Sequence, residues 1–363
     1  MLKNFLKRTG PALALALFAA VLLSAGAASA KELRILAWQG YADDDWVKEF
    51  EAKTGADVKV VFIGTDDEIW AKIKGSEGQD FDLFAVNTAQ LQRYIDAGLT
   101  TEYDLSKVPN QQQTLPRFRD LTKVQGVMRD GKVYAIPFAF DCIGIIYDTD
   151  KVKPAPTTMD VLWDPKYKGK VLAYDNGEHN FSFTALTLGI QDPFHLSADQ
   201  MAQVKTKLIA LKKNVLSFYT TADEALQIYK NNDVALIWAN YGQQQLKQMK
   251  DAGAHVAYIN PKEGALSWLD TWAITKGVRD KDLAEQWVNF VLQKKIGQML
   301  SDRNGFGNTV VPYPSAGDND KLVYLQLVED PTKRADEWNE IRPRSKLSWR
   351  FARPAMAAGR ASF

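Results

Sequence analysis

From Leu33 onward, strand-like and helix-like patterns alternate along the chain, and this alternation restricts the fold more than any other feature. Residues 33–37 are a short apolar run, and 43–53 carry Trp46, Val47 and Phe50 on one helical face. Residues 58–63 are β-branched and apolar. Thr65 and Glu68 then have the spacing of a capping box and open a helix with Ile69, Trp70 and Ile73. A buried strand at 83–86 leads to a helix at 88–97, which Gly98 stops. The pattern resumes with strands at 171–174, 234–238 and 255–259. Helices are expected at 198–213, 222–230, 242–252 and, as one long element, 280–300, striped by Leu283, Trp287, Phe290 and Val291. Such alternation implies βαβ units and a mostly parallel sheet covered on both faces. The apolar stretch 134–147 is extended and placed to cross between two α/β lobes.

The first thirty residues read as an export signal. Lys3, Lys7 and Arg8 precede an apolar run over 11–23, and Ala28-Ser29-Ala30 supplies a small-x-small cleavage pattern, so the mature chain is expected to begin at Lys31. The run is short for a membrane span, and no Cys follows the cleavage pattern to accept a lipid. The expected product is a soluble, untethered protein outside the cytoplasm. Its length, 363 less 30 residues, suits two domains of roughly 150 residues each. Loss of three cations from 45 leaves 42 basic against 44 acidic residues, a balance that disfavours nucleic acid as a partner. Cys142 is the only cysteine, so no intrachain disulfide forms, and its apolar surroundings mark it as a buried small hydrophobe. The tail from Arg350 is basic, Ala-rich and expected to fray.

In open α/β sheets, ligands sit beyond the carboxyl ends of the strands. After the first strand come Trp38, Gln39, Gly40 and Tyr41, and after the third come Asn87 and Thr88. The strand at 171–174 is followed by Asp175, Asn176, Gly177, Glu178 and His179, and the one at 234–237 by Trp238, Asn240 and Tyr241. Beyond 255–259 lie Lys262 and Glu263, read as an exposed turn, and then Trp268, Leu269, Asp270 and Trp272. Aromatics, amides and a few carboxylates suit an organic cation, held by π-faces and an acid. A single Trp at a strand end is as well explained by core packing, but three of them favour a pocket. Asp175 reads equally as the N-cap of the next helix. Asp270, between Leu269 and Trp272, reads as a placed, partly buried carboxylate. His195 and His255 read as structural. The sequence has no metal-ligand spacing, no phosphate-cradling loop and no nucleophile motif, so no cofactor, metal or catalytic residue is expected.

With these segments the chain resembles the periplasmic spermidine/putrescine-binding proteins of ABC transporters. The stretches that carry the resemblance are Ala37-Trp38-Gln39-Gly40-Tyr41, Tyr134-Ala135-Ile136-Pro137-Phe138, 162–169, Ile237-Trp238 and 261–264 leading to Trp268-Leu269-Asp270. The resemblance implies an α/β, two-lobe periplasmic-binding-protein fold (type II) with the ligand in the inter-lobe cleft. It sets the lobes at 31–140 with 267–308, and 141–266 with 309–363. It also implies an aromatic box of Trp38, Tyr41, Trp238 and Trp268, with Asp270 as the amine-binding carboxylate and Phe306 where the family often has Tyr. Asn87 and Tyr241 complete the candidate set. Gly40 stands where spermidine binders tend to carry an acid, and Ala89 replaces an aromatic that usually lines the cleft. Two assignments stand for the family's second acidic cluster: Asp175 and Glu178, or Asn176 and His179.

The expected function is therefore capture of a small, putrescine-sized amine and its delivery to the permease subunits of an ABC importer by a monomer. A zwitterionic ligand such as an ω-amino acid is the alternative within that class. A secreted carboxylate-dependent hydrolase is the alternative of another class. A ferric-ion binder of related fold would want clustered tyrosines where this chain offers Trp.

Overall fold

The computed structural model describes residues 31–312 and 322–342, so the signal over 1–30 and the tail from Arg350 lie outside the described residues. β1 (Glu32–Trp38), α1 (Asp44–Thr54), β2 (Asp57–Ile63), α2 (Asp66–Gly75), β3 (Leu83–Asn87) and α3 (Thr88–Asp96) follow in the expected order. β1 lies between β2 and β3 and parallel to both, which brings their carboxyl ends to one side. At the start of α2, Thr65 Oγ1 accepts from Glu68 N at 3.1 Å, but Glu68 reaches back to Gly64 N, so only half of the capping box forms.

After a run of short turns comes β4 (Ala135–Asp148), then β5 (Val171–Tyr174), α4 (Gly177–Thr187), α5 (Ala198–Leu211), β6 (Val215–Tyr219), α6 (Ala222–Asn231), β7 (Leu236–Ala239), α7 (Gly242–Asp251) and β8 (Val256–Ile259). β9 (Ala265–Thr275), α8 (Lys281–Val291), α9 (Lys294–Asn304), β10 (Leu322–Tyr324) and α10 (Pro331–Ile341) complete the described chain. The strand order is β2-β1-β3-β9-β4-β7-β5-β6. Two long strands join the halves. Residues 135–143 of β4 pair with β9, and residues 144–148 pair with β7 and β8.

The sheet is mixed where a mostly parallel one was expected. β9 runs antiparallel to β3 and β4, and β4 antiparallel to β7 and β8. The chain returns beside the strand that took it across, and direct neighbours of that kind pair antiparallel, whereas a parallel return needs a long crossover. The expected helix over 280–300 is two helices, α8 and α9, separated at Leu292 and Gln293. Buried Leu283, Trp287, Val291, Ile296 and Leu300 continue the apolar stripe across the break, so periodicity alone does not reveal it.

Each half has its own cores. On one side of the crossing, Leu33, Ile35, Trp46, Phe50, Trp272 and Trp287 fill one face of the sheet, and Ile69, Ile73, Phe84 and Tyr94 the other. On the far side, Phe181, Phe183, Val204, Leu208 and Trp238 pack together, and Tyr219, Ile237 and Met249 form the opposite layer. Trp268, on β9, packs against cores of both halves. Trp338 and Ile341 bring α10 into the second half. Cys142 is fully buried, as expected. Among the described residues no helix is long and apolar enough to cross a membrane.

Candidate functional site

The chain leaves β1 through a tight turn in which Tyr41 N donates to Trp38 O at 3.2 Å. Gly40 holds the left-handed position of that turn, with φ +89°, a conformation that suits Gly because it has no Cβ. The turn presents Trp38 and Tyr41 at the carboxyl end of β1. The Tyr41 ring stands edge-on to Phe138 (5.2 Å), Phe306 (5.6 Å) and Trp272 (6.4 Å), and Phe306 in turn stands edge-on to Trp268 (5.7 Å). A register shift in the β4–β9 ladder at Asp270 leaves Phe138 as the bulged residue beside Pro137. A bulge bends its strand and re-aims a side chain, and a Pro with no N–H is accommodated there.

Asp270 is the polar centre of this aromatic set. It is only 8% exposed, and the Tyr41 hydroxyl donates to its Oδ2 at 2.6 Å. Burial raises its pKa from 3.8 to about 7, against the lowering effect of the Tyr41 bond. Burial and the facing carboxylate push the Tyr41 hydroxyl well above 10. Asn87 lies directly opposite Asp270 on β3. Its side-chain oxygen caps α3 by accepting from Gln90 N, and its Nδ2 donates to Asp66 Oδ1 at 3.1 Å.

The second half contributes Glu178 from the first turn of α4. Burial raises its pKa, and Asp67 and Arg93 of the first half act on its charge. The Tyr241 ring stands edge-on to Tyr174 at 5.7 Å, and Tyr174 stacks on His179. His179 Nδ1 bonds Asn240 Oδ1 at 2.8 Å, and burial lowers its pKa, so the ring is neutral. Asn176 is taken up as the N-cap of α4. Ala89 of α3 packs into a core of the second half.

The readings of three residues change. Asp175 does not cap α4, because Asn176 does. Its carboxylate is held by Trp338 Nε1 at 2.7 Å and by Arg342, on the C-terminal side of the lobe, so it does not join the Asp270 set. Trp238 is fully buried and stacked face to face on Phe183 at 3.9 Å, behind the aromatic set rather than within it. Glu263 is not a free turn residue, since it accepts from Thr158 Oγ1 and Met159 N. His195 and His255 pair with Asp192 and Asp150, in keeping with structural roles.

The structure thus brings together Tyr41, Trp268, Asp270 and Phe306, with Trp38 and Asn87 at the adjoining strand ends. Two further carboxylates adjoin the set. Asp66 has its pKa raised to about 6 by burial. Asp141, wholly buried on β4 opposite Trp268, is raised to about 8 by burial despite accepting from Cys142 N and Gln243 N at 2.7 Å each. A strand-end search limited to the first and third strands passes over Asp66, and the same rule applied to β2 reaches Thr65, Asp66 and Asp67. Nothing in the sequence around Asp141 separates it from a core position. Among the described residues no group of His, Cys, Asp and Glu forms a metal site.

The profile of the family described as bacterial extracellular solute-binding protein matches residues 45–316. The putrescine-binding periplasmic protein PotF of Escherichia coli (strain K12) is 28% identical over 351 residues, covering 87% of this chain and 92% of PotF. The spermidine/putrescine-binding periplasmic protein 1 of Haemophilus influenzae is 26% identical over 310 residues, covering 85% of this chain and 81% of that protein. Among solved structures, the spermidine/putrescine ABC transporter substrate-binding protein PotD of Streptococcus pneumoniae superposes with a TM-score of 0.73 at 21% identity, over 86% of this chain and 98% of that one. The Tp0655 (TpPotD) lipoprotein of Treponema pallidum gives 0.74 at 18% identity, over 86% and 99%. These similarities bear out the expected α/β, two-lobe fold.

Proposed function

The chain belongs to the bacterial extracellular solute-binding proteins, and from that premise we propose that it captures a small amine in the periplasm and delivers it to the permease subunits of an ABC importer. The relatives named for putrescine and spermidine set the ligand class. The observation that carries the reading on this chain is Asp270. It is a buried carboxylate ringed by aromatic side chains, and no Lys, Arg or His among the described residues forms an ion pair with it. A buried, uncompensated charge is costly. A ligand ammonium would supply the missing partner, while the faces of Trp268 and Trp38 and the edge-on ring of Phe306 would enclose its alkyl chain and share its charge.

The lobes would be residues 31–140 with 267–308, and 141–266 with the C-terminal segment, closing about the β4 and β9 crossings. A thermal-shift screen over diamines, triamines, ω-amino acids and neutral sugars tests the proposal. Putrescine should give the largest shift, because a longer polycation carries ammonium groups that this cleft cannot pair. Spermidine in first place would overturn the size argument, and a sugar in first place the cation argument. Asp270→Asn should fold and lose roughly a hundredfold or more in affinity, since one partner of a buried charge pair is removed.

A further inference from the structure

We propose that Asp66 is the acceptor for the second ammonium of a diamine, and so the residue that makes this site prefer a diamine over a monoamine or an ω-amino acid. The inference rests on the amine-binding reading above. Asp66 opens α2 at the carboxyl end of β2, the edge strand beside β1. Asn87 fixes its position. The Asn87 amide donates to Asp66 Oδ1 at 3.1 Å, and Asn87 stands opposite Asp270 in the β3–β9 ladder, so one residue separates the two carboxylates. The charge of Asp66 reaches groups on both halves. Asp66 is felt by Asp270 on β9 and by Tyr174 on β5, and it feels Glu178 on α4.

Neither carboxylate forms an ion pair with a described residue, Asp270 being buried and Asp66 half-buried. Asp270 is nine-tenths buried and has one oxygen on Tyr41, and its other oxygen bonds no described residue. Asp66 has only the neutral Asn87 amide on its carboxylate. Arg93 favours the ionised form of Asp66 by its charge but makes no bond to its carboxylate: its Nη2 donates to the backbone carbonyl of Asp66 at 3.0 Å, its Nη1 lies 4.0 Å from Asp67, and its guanidinium covers the Trp70 ring at 4.7 Å. The position next to Tyr41 cannot supply the second acid. A Cβ on Gly40 would lie 2.8 Å from Asn304 Oδ1, and the residue has φ +89°. Asp175 is held by Trp338 of α10, and Asp66 is the acid at a first-half strand end whose charge Asp270 feels.

The test is calorimetry at pH 8 with putrescine, 1-aminobutane and 4-aminobutyrate on the mature wild type, Asp66→Asn and Asp270→Asn. Asn keeps an acceptor for Asn87. Asp66→Ser, another residue suited to a helix start, is a second variant should the first melt early. Expected is a loss of at least about tenfold in putrescine affinity on Asp66→Asn, with 1-aminobutane within about threefold of wild type and 4-aminobutyrate equal or tighter. Asp270→Asn should weaken all three ligands. Unchanged putrescine affinity in folded Asp66 variants, with Asp270→Asn still deficient, would overturn the role of Asp66 and leave the amine reading standing. A wild type that binds no amine would overturn both.

Discussion

Asp270 carries its charge without a protein cation beside it, and this makes the ligand-free protein sensitive to pH. Burial raises Asp270 to about 7, Asp66 to about 6 and Asp141 to about 8. An acid whose folded pKa lies above its unfolded value near 4 favours folding only while it holds its proton. That contribution is whole below about pH 4 and is lost progressively as the pH rises from there through the folded values, 6 to 8. The ligand-free wild type should therefore lose stability across that range, and Asp270→Asn should lose less. At pH 8 the variant should be the more stable of the two by on the order of 2–4 kcal/mol in urea denaturation, while failing to bind. A ligand ammonium reverses the sign, because it pairs with the ionised carboxylate and expels the proton. Binding at pH 6.5 should release protons, and affinity should rise toward pH 8. Heats of binding that are identical in buffers of different ionisation enthalpy would sink this account.

At the scale of elements, the turn of α4 that bears Glu178 is braced by α10. Arg334 is wholly buried on it. Its guanidinium donates to both oxygens of Glu329, to Ser182 Oγ at 2.7 Å, and to the backbone carbonyls of Glu178, Pro193 and Phe194. Arg334→Ala strands Glu329 and several carbonyls, so it should cost about 3–5 kcal/mol in denaturation. It should also weaken the amine by freeing the α4 turn that bears Glu178. Full affinity in a destabilised variant would show that α4 holds its place without α10. The helices with one exposed face, α1 and α3, and the strand β2 lie within two residues of their expected limits, as does β1, a short buried run bounded by turn residues, and α2 opens where its capping spacing places it. β9 was not legible in the sequence, because nearly all its residues are buried and no alternation shows. α4 shows in the sequence only as the helix that Asp175 would cap, and its extent does not show, since Asn180 through Leu186 are all buried and no stripe is visible. At the candidate site, Tyr41, Trp268 and Asp270 stand in recognisable stretches, and Phe306 entered by its place in the resemblance. Asp66 was not legible, because an acid at a helix start reads as a cap until β3 and β9 are seen to bring Asn87 and Asp270 beside it.

For the whole molecule, the two crossing strands define the motion. β4 and β9 are paired along the crossing, so the halves can rock about them while each keeps its own cores. In the structure Ala89 of the first half sits in a second-half core, and a Cβ on Gly305 at the end of α9 would come within 3.1 Å of the Gln243 carbonyl of α7, so the cleft is drawn together there. Solution scattering should show a more extended ligand-free protein that compacts on saturation with putrescine, and superimposable profiles would count against closure. The same crossing fixes the order in which the polypeptide can fold. The neighbour of β3 is β9, and the Thr271 hydroxyl reaches the Val86 carbonyl across 185 residues of sequence. A ribosome must therefore synthesise nearly the whole second half before the first can complete its sheet, and contacts of such long separation form slowly. A chain built this way stays unfinished for most of its synthesis, in the extended form that a secretion channel can thread.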